Sequence, residues 1–104
     1  MKRDLLKVAI EKGCIEWQRH ALEKMMERSI SRKAVKEVLL NGEIIENYPD
    51  DKPYPSALLL GWIENQPFHV VVSLDHMTGY CFIITAYKPD AEYFEKDYKT
   101  RRIK

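Results

Sequence analysis

Residues 67–87 read Pro67-Phe-His-Val-Val-Val-Ser-Leu-Asp-His-Met-Thr-Gly-Tyr-Cys-Phe-Ile-Ile-Thr-Ala-Tyr87, two β-rich runs on either side of a short polar segment. Valine, isoleucine and aromatic residues are typical of strands, and the polar segment from Asp75 to Gly79 is typical of a turn. The pattern predicts a β-hairpin with a five-residue loop. We expect this hairpin to form the centre of a larger sheet.

The register of the hairpin determines which side chains share a face, because a slip of one residue moves every side chain to the other face. We expect Leu74 to face Tyr80. The further pairs are then Val72 with Phe82, Val70 with Ile84, Phe68 with Ala86, Ser73 with Cys81, Val71 with Ile83, and His69 with Thr85. His69, Thr85 and, two residues on, Tyr87 form one polar cluster on a mostly apolar sheet. This cluster is a candidate functional site, unless His69–Thr85 is a structural cross-strand pair and Tyr87 packs at the sheet edge.

Composition indicates one globular domain over residues 1–104. Apolar residues make up 45% of the chain and charged residues 32%, which excludes a disordered chain. No apolar run approaches the roughly 20 residues of a membrane span, and the first residues lack a signal-peptide core. We therefore expect a cytoplasmic protein without a membrane partner. Cys14 and Cys81 have no nearby cysteine and are predicted to be free thiols.

The order of elements predicts an α+β fold, with N-terminal helices packed on a four-stranded antiparallel sheet. Helical spacing marks residues 4–11 and 18–29, and residues 14–17 form an extended linker or a brief strand. Ser31 caps a third helix, which Asn41-Gly42 ends, with the glycine in the left-handed conformation. Strands are predicted over residues 43–48, 56–64 and the two arms of the hairpin. The helices should cover the Phe68, Val70 and Val72 face, so that the His69 face opens outward or into a cleft.

Two side chains of the second helix are candidates for a site. His20 lies at the edge of the polar half of this helix, whereas Arg28 falls on its apolar half, where a cation needs a partner. The two residues are about 12 Å apart along the helix axis and could line one groove. The alternative for Arg28 is a structural role at the C-terminus of the helix, where a cation suits the helix dipole.

Charge is distributed unevenly along the chain. The second helix and the C-terminal tail, which includes Arg101 and Arg102, are basic, and the segment between residues 43 and 52 is acidic. Basic patches attract phosphate, although solvated surface charge gives the same pattern. The sequence contains no metal-ligand spacing, phosphate-binding loop, dinucleotide fingerprint or nucleophile elbow, so we predict no metal and no cofactor.

Several motifs together resemble a family. They are Trp17-x-x-His20-Ala21, Met25-x-x-Arg28-x-Ile30-Ser31, Gly42-Glu43-Ile44-Ile45-Glu46, Pro53-Tyr54-Pro55-Ser56, His69-Val70-Val71 and Ile84-Thr85-Ala86-Tyr87-x-Pro89-Asp90. Nearly the whole chain is similar to a prokaryotic domain-of-unknown-function family, number 4258. That family in turn resembles the RelE and BrnT type of small RNase toxins in its element order. The resemblance implies metal-independent RNA cleavage, with RNA as substrate and an antitoxin protein as partner.

RNA cleavage without a metal needs a base, a cation for the phosphorane and an acid. His20 and His69 could supply the base and the acid, and Arg28 could hold the phosphate. Substrate contacts could come from Tyr87 and Thr85, with added charge from Arg101 and Arg102. The alternative is a non-catalytic module that binds a peptide or nucleic acid in the same cleft. A third class, an enzyme acting on a small metabolite, is less favoured by the basic helix and tail.

Overall fold

The computed structural model describes residues 1–103 as a mixed sheet with three helices on one of its faces. The helices are α1 (Arg3–Glu11), α2 (Arg19–Glu27) and α3 (Arg32–Asn41), and the strands are β1 (Ile15–Trp17), β2 (Glu43–Tyr48), β3 (Ser56–Ile63), β4 (Gln66–Leu74) and β5 (Cys81–Tyr87). The α+β class and the three predicted helices are confirmed. No helix in this part of the chain is long and apolar enough to cross a membrane.

The sheet has five strands in the order β1-β5-β4-β3-β2, and the prediction of four antiparallel strands was wrong. The four long strands are antiparallel, but the three-residue β1 adds to the free side of β5 in parallel. Ile15 pairs with Cys81 and Trp17 with Ile83. A segment this short carries almost no periodic signal, so its pairing partner could not be predicted.

The predicted register of the hairpin was also wrong. Leu74 pairs with Cys81 instead of Tyr80, because Tyr80 belongs to the loop and its carbonyl accepts from the Asp75 amide. The register then shifts again between Val71 and Val72, where β5 carries an extra residue, Ile84. As a result His69 lies opposite Tyr87 rather than Thr85. The bulge keeps Thr85 and Tyr87 on the face of the sheet that carries His69, because opposed residues point to the same side.

The helices pack on the Phe68 and Val70 face of the sheet, as predicted. Apolar side chains of α1, α2 and α3 meet that face in one continuous core. Ser31 caps α3 as predicted, with its hydroxyl accepting from the Ala34 amide at 3.0 Å. Gly42, however, is extended (φ −76°) and not left-handed. Glycine is required there for space, since a Cβ atom would lie 2.6 Å from the Val38 carbonyl oxygen.

The opposite face of the sheet is covered in part by the C-terminal segment, which we define as residues 90–102. This segment forms turns and places Phe94, which is 3% exposed, against the sheet. Beneath it Leu58, Leu60 and His69 are fully buried. His69 itself therefore does not open outward, because the C-terminal segment covers it. The part of the same face next to the loop between β2 and β3 forms a cleft.

Candidate functional site

His69 lies at the centre of the covered face. It is a residue of β4, with Leu60 of β3 on one side and Tyr87 of β5 on the other. The aromatic ring of Phe94 stands edge-on to the imidazole with centroids 4.7 Å apart. The Tyr87 ring makes a second edge contact at 5.3 Å. Two strands and the C-terminal segment thus fix the orientation of the imidazole.

Both ring nitrogens of His69 are hydrogen-bonded. Nε2 donates to the Tyr98 carbonyl oxygen at 2.8 Å, and because a carbonyl can only accept, this nitrogen carries the proton. In the neutral ring Nδ1 is therefore an acceptor, and it lies 3.3 Å from the Tyr87 hydroxyl. The Tyr87 O–H donates to it. Tyr87, His69 and the Tyr98 carbonyl form one hydrogen-bonded chain on this face of the sheet.

Burial favours the neutral forms of both side chains. It lowers the pKa of His69, an effect that the bond to Tyr98 and the nearby Glu46 carboxylate oppose. Burial also raises the pKa of Tyr87, against the pull of the Arg101 and Arg28 guanidinium groups. At neutral pH the pair therefore consists of a protonated phenol and an unprotonated imidazole nitrogen. This is the protonation state in which the phenol can donate to Nδ1.

Arg28 joins α2 to the same part of β5. It is the C-cap residue that follows α2, and its Nη1 donates to the Ala86 carbonyl oxygen at 3.0 Å and to the Thr85 hydroxyl at 3.4 Å. The bond is possible because β1 pairs only as far as Ile83, which leaves the outer edge of β5 without a strand. Arg28 thus acts across the sheet edge rather than on its own helix end. The rest of the guanidinium group is exposed.

We call His69, Tyr87, Thr85 and Arg28 the Tyr87 site. Strand β5 brings its members together, since Thr85 and Tyr87 share a face and His69 lies opposite Tyr87. Arg28 is close enough to act on the charge of Tyr87. The arrangement presents a hydroxyl backed by a proton acceptor, next to a guanidinium group with free N–H donors. Such a combination can bind a phosphodiester and move one proton.

Arg101 and Arg102, predicted to bind substrate, are engaged within the protein. Arg101 donates to both carboxylate oxygens of Glu46, at 2.8 Å and 3.0 Å, and its guanidinium group lies 5.0 Å from the centre of the Phe94 ring. Arg102 donates to the Ala91 carbonyl oxygen and to Glu95. These contacts fold the C-terminal segment and attach it to β2. The basic residues of the tail therefore hold the C-terminal segment in place over His69.

His20 is placed differently from the other predicted residues. It is exposed in the first turn of α2, and within residues 1–103 it makes no hydrogen bond or ring contact with His69, Tyr87 or Arg28. The structure brings Arg28, His69, Thr85 and Tyr87 together and leaves His20 outside this group. In the same part of the chain, no group of three or more His, Cys, Asp or Glu side chains is placed to hold a metal ion.

The Cys81 thiol is less reactive than an ordinary cysteine. Cys14 and Cys81 form no disulfide, and burial raises the pKa of Cys81 to about 11. A thiol with this pKa is protonated at neutral pH, so Cys81 is part of the core and not a nucleophile.

Three further residues support the Tyr87 site from outside it, and their roles were not predicted from the sequence. Glu46 holds Arg101, and this bond lowers the pKa of the carboxyl group. Tyr48 donates to the same carboxylate, and Tyr98 supplies the carbonyl for His69. Glu46 could have been noticed as an acidic side chain in a predicted strand. The role of Tyr98 depends on a backbone atom in an irregular segment, for which a sequence pattern gives no signal.

Comparison with models of protein families gives a match. A model of the family described as "Domain of unknown function (DUF4258)" matches residues 17–88. The matched region contains His20 and all four members of the Tyr87 site, and it ends before the C-terminal segment. A search among curated proteins finds no match. Because the family model covers well over half of the chain, this protein belongs to the family of domains of unknown function DUF4258.

Proposed function

We propose that this protein is a small endoribonuclease that cleaves RNA without a metal ion, using the Tyr87 site. The observation that supports the proposal best is the Tyr87 hydroxyl, which donates to a neutral His69 beside the exposed guanidinium group of Arg28. Each of these groups matches one demand of the reaction. In RNA the 2′-hydroxyl attacks the neighbouring phosphorus, so that hydroxyl must lose its proton and the phosphorane charge must be stabilised.

The proposed proton transfer passes through Tyr87. As the 2′-oxygen attacks phosphorus, its proton moves to the phenol oxygen of Tyr87, and the phenol proton moves to Nδ1 of His69. The substrate then needs to reach only the half-buried Tyr87, and His69 acts from beneath the C-terminal segment. The raised pKa of Tyr87 keeps a proton available for this exchange, and the lowered pKa of His69 keeps Nδ1 free to accept it.

Arg28 is the proposed phosphate ligand. Its Nη1 donates to the Ala86 carbonyl oxygen and to the Thr85 hydroxyl, which fixes the plane of the guanidinium group against β5. Its remaining N–H groups have no partner among residues 1–103 and can form a forked contact with two phosphate oxygens. The bond from the phosphorus to the 5′-oxygen then breaks, and solvent water protonates that oxygen. The hydroxide left in solvent takes up the proton that His69 returns through Tyr87, which restores the starting state. The products are a 2′,3′-cyclic phosphate and a 5′-hydroxyl.

The wider assignment rests on resemblance. Helices followed by an antiparallel sheet are the element order of the RelE and BrnT type of RNase toxins, and β2 to β5 have this order here. The parallel β1 is an addition to it. We therefore propose a toxin of a toxin–antitoxin pair that acts on cytoplasmic RNA in a prokaryote, with an antitoxin protein as its partner. Fold alone does not fix function, so the activity has to be measured.

A second candidate function is a non-catalytic module that binds nucleic acid or a peptide on the same face. The burial of His69 favours it, because both imidazole nitrogens already have partners and the ring is fully covered. In that case His69 and Tyr87 would fix the sheet to the C-terminal segment, and Arg28 alone would contact the ligand. The two candidates differ in one observable, the appearance of new RNA ends.

The experiment is incubation of the purified protein with single-stranded RNA in excess EDTA, with and without ribosomes. We expect cleavage in the presence of the chelator and fragments that end in a 2′,3′-cyclic phosphate, identified by mass spectrometry. Cleavage that stops with EDTA would contradict the metal-independent mechanism. Intact RNA under all conditions, together with measurable RNA binding, would favour the non-catalytic module.

A further inference from the structure

A cleft lies beside the Tyr87 site on the half of the sheet that the C-terminal segment leaves uncovered. We call it the Tyr54 cleft, and it has a volume of about 280 Å³. Six of its lining residues matter here: Asp51, Tyr54, Val71, Ser73, Phe82 and Ile84. The rings of Tyr54 and Phe82 are stacked, with centroids 5.3 Å apart and planes within 9° of each other. The cleft therefore has aromatic and aliphatic walls.

Ser73 supplies an unusual polar group in this apolar setting. The residue is 7% exposed, and its side chain makes no hydrogen bond to any residue from 1 to 103. Its position on β4, two residues from Val71, places it on the cleft face of the sheet. Among the described residues no buried side-chain oxygen or nitrogen lacks a partner, so the Ser73 hydroxyl is open to the cleft and not sealed in the core. It is therefore available as a donor or an acceptor to a polar ligand in the cleft.

Asp51 provides a second polar group at the same place. Its Oδ2 accepts from the hydroxyl of Ser56, a buried residue at the start of β3, and this bond orients the carboxylate. The other oxygen, Oδ1, has no donor among the residues that the structure describes. The Tyr54 cleft therefore offers an oriented carboxylate and a free hydroxyl beside a flat aromatic wall.

The cleft is continuous with the proposed phosphate ligand. Val71, in its floor, pairs directly with Thr85, whose hydroxyl accepts from Arg28. One cross-strand pair therefore separates the cleft from the guanidinium group. A phosphate at Arg28 and an attached base in the cleft are compatible with a single nucleotide lying across β5 and β4.

We infer that the Tyr54 cleft binds a guanine base of single-stranded RNA, next to the phosphate that Arg28 contacts. The inference rests on the proposed function, since it names the part of the substrate that the same site recognises. Single-stranded RNA is recognised by stacking unpaired bases on aromatic side chains and by hydrogen bonds to the base edge. Guanine presents a ring N–H and an amino group side by side, and these donors match the carboxylate of Asp51. Ser73 can bond a further polar atom of the base.

Size and shape favour a base over a peptide. Ligand pockets typically enclose about 300–1,000 Å³, so this cleft lies just below the range and suits one flat ring system. The four bases differ at Asp51: uracil places carbonyl oxygens on both sides of its single N–H, which a carboxylate disfavours. Guanine is therefore expected to bind more tightly than uracil, cytosine or adenine.

The test is titration of the intact protein with guanosine 3′- and 5′-monophosphate and with the corresponding adenosine, cytidine and uridine nucleotides. We expect the guanosine nucleotides to bind most tightly and to shift the NMR signals of Ser73 and Phe82. Ser73→Ala should weaken this binding roughly tenfold, and Asp51→Asn roughly 10- to 100-fold. Asp50→Asn is the matched control, because Asp50 is adjacent and exposed but does not line the cleft, and it should bind like the parent protein.

Several results would overturn the inference. They are equal binding of all four nucleotides, parent-like binding by Ser73→Ala, and shifts confined to residues outside the cleft. Preferential filling of the cleft by a peptide would also overturn it. If Asp51→Asn fails to fold, Ser73→Ala and the NMR shifts still test the inference. A protein that binds guanosine nucleotides but never cuts RNA would retain this inference and lose the ribonuclease proposal. A protein that cuts RNA without any guanine preference would retain the ribonuclease proposal and lose this inference.

Discussion

His69 shows how one residue can be both structural and chemically poised. Its imidazole is fully buried, and it is fixed by the Tyr98 carbonyl on one side and the Tyr87 hydroxyl on the other. The sequence indicated His69 because it belongs to a polar cluster on a mostly apolar sheet, with a predicted cross-strand partner. It named the wrong one, Thr85, because the continuous apolar run in β5 does not reveal the bulge at Ile84. The correct partner, Tyr87, was in the same predicted cluster.

The buried imidazole should make the protein less stable in mild acid. Folding lowers the pKa of His69 below its ordinary value of about 6.5, so below that pH the unfolded chain binds the proton more readily. The free energy of unfolding should therefore decrease as the pH falls from 7 to 5.5. His69→Gln should flatten this slope, as measured by urea unfolding at each pH. Leu60→Val, a change at the residue opposite His69, should lower stability but retain the slope; a parent protein with no slope would contradict this account.

At the scale of elements, the C-terminal segment was the largest departure from the sequence-based expectation. Composition predicted a basic tail available to a ligand. In the structure its charges are used internally: Lys99 pairs with Glu43 at 2.9 Å, and Arg101 with Glu46. The acidic residues of β2 and the basic residues of the tail are complementary in charge. That complementarity was present in the sequence. The two groups are far apart along the chain, however, so no local pattern indicated that they pair.

Loss of the Arg101–Glu46 pair should loosen this segment. In Arg101→Ala the guanidinium contacts with Glu46 and Phe94 disappear, while the three helices and β3 to β5 keep their contacts. We expect faster hydrogen exchange at the Arg102 amide, which bonds to the Tyr93 carbonyl, and at the Glu95 amide, which bonds to the Thr100 carbonyl. Arg19→Ala, which breaks an exposed pair with Glu23, is the control. Unchanged exchange in Arg101→Ala would mean that apolar packing alone holds the segment.

At the scale of the whole molecule, the sequence predicted the elements better than their connections. Helix periodicity, the Ser31 cap and the β-rich runs are local signals, and all of them correspond to elements of the structure. The parallel pairing of β1, the bulge in β5 and the fold of the C-terminal segment depend on contacts between distant parts of the chain. Four of the candidate residues nevertheless lie together, namely Arg28, His69, Thr85 and Tyr87. Thr85 and Tyr87 both follow the bulge and are two residues apart, so they still share a face. His20 lies apart from them. The helical pattern predicts the direction in which its side chain leaves the helix axis, but it does not predict where α2 packs on the sheet.

The most direct test of the central claim is the rate of RNA cleavage by Tyr87→Phe in EDTA under single-turnover conditions. Phenylalanine keeps the ring beside His69 and removes only the hydroxyl through which the proton is proposed to pass. We expect the rate to fall about 10²- to 10⁴-fold, the usual size of a general acid–base contribution, with RNA binding retained. Tyr80→Phe, the same change at an exposed loop residue, should cut like the parent protein. A Tyr87→Phe variant that cleaves RNA at the parent rate would contradict catalysis at this site.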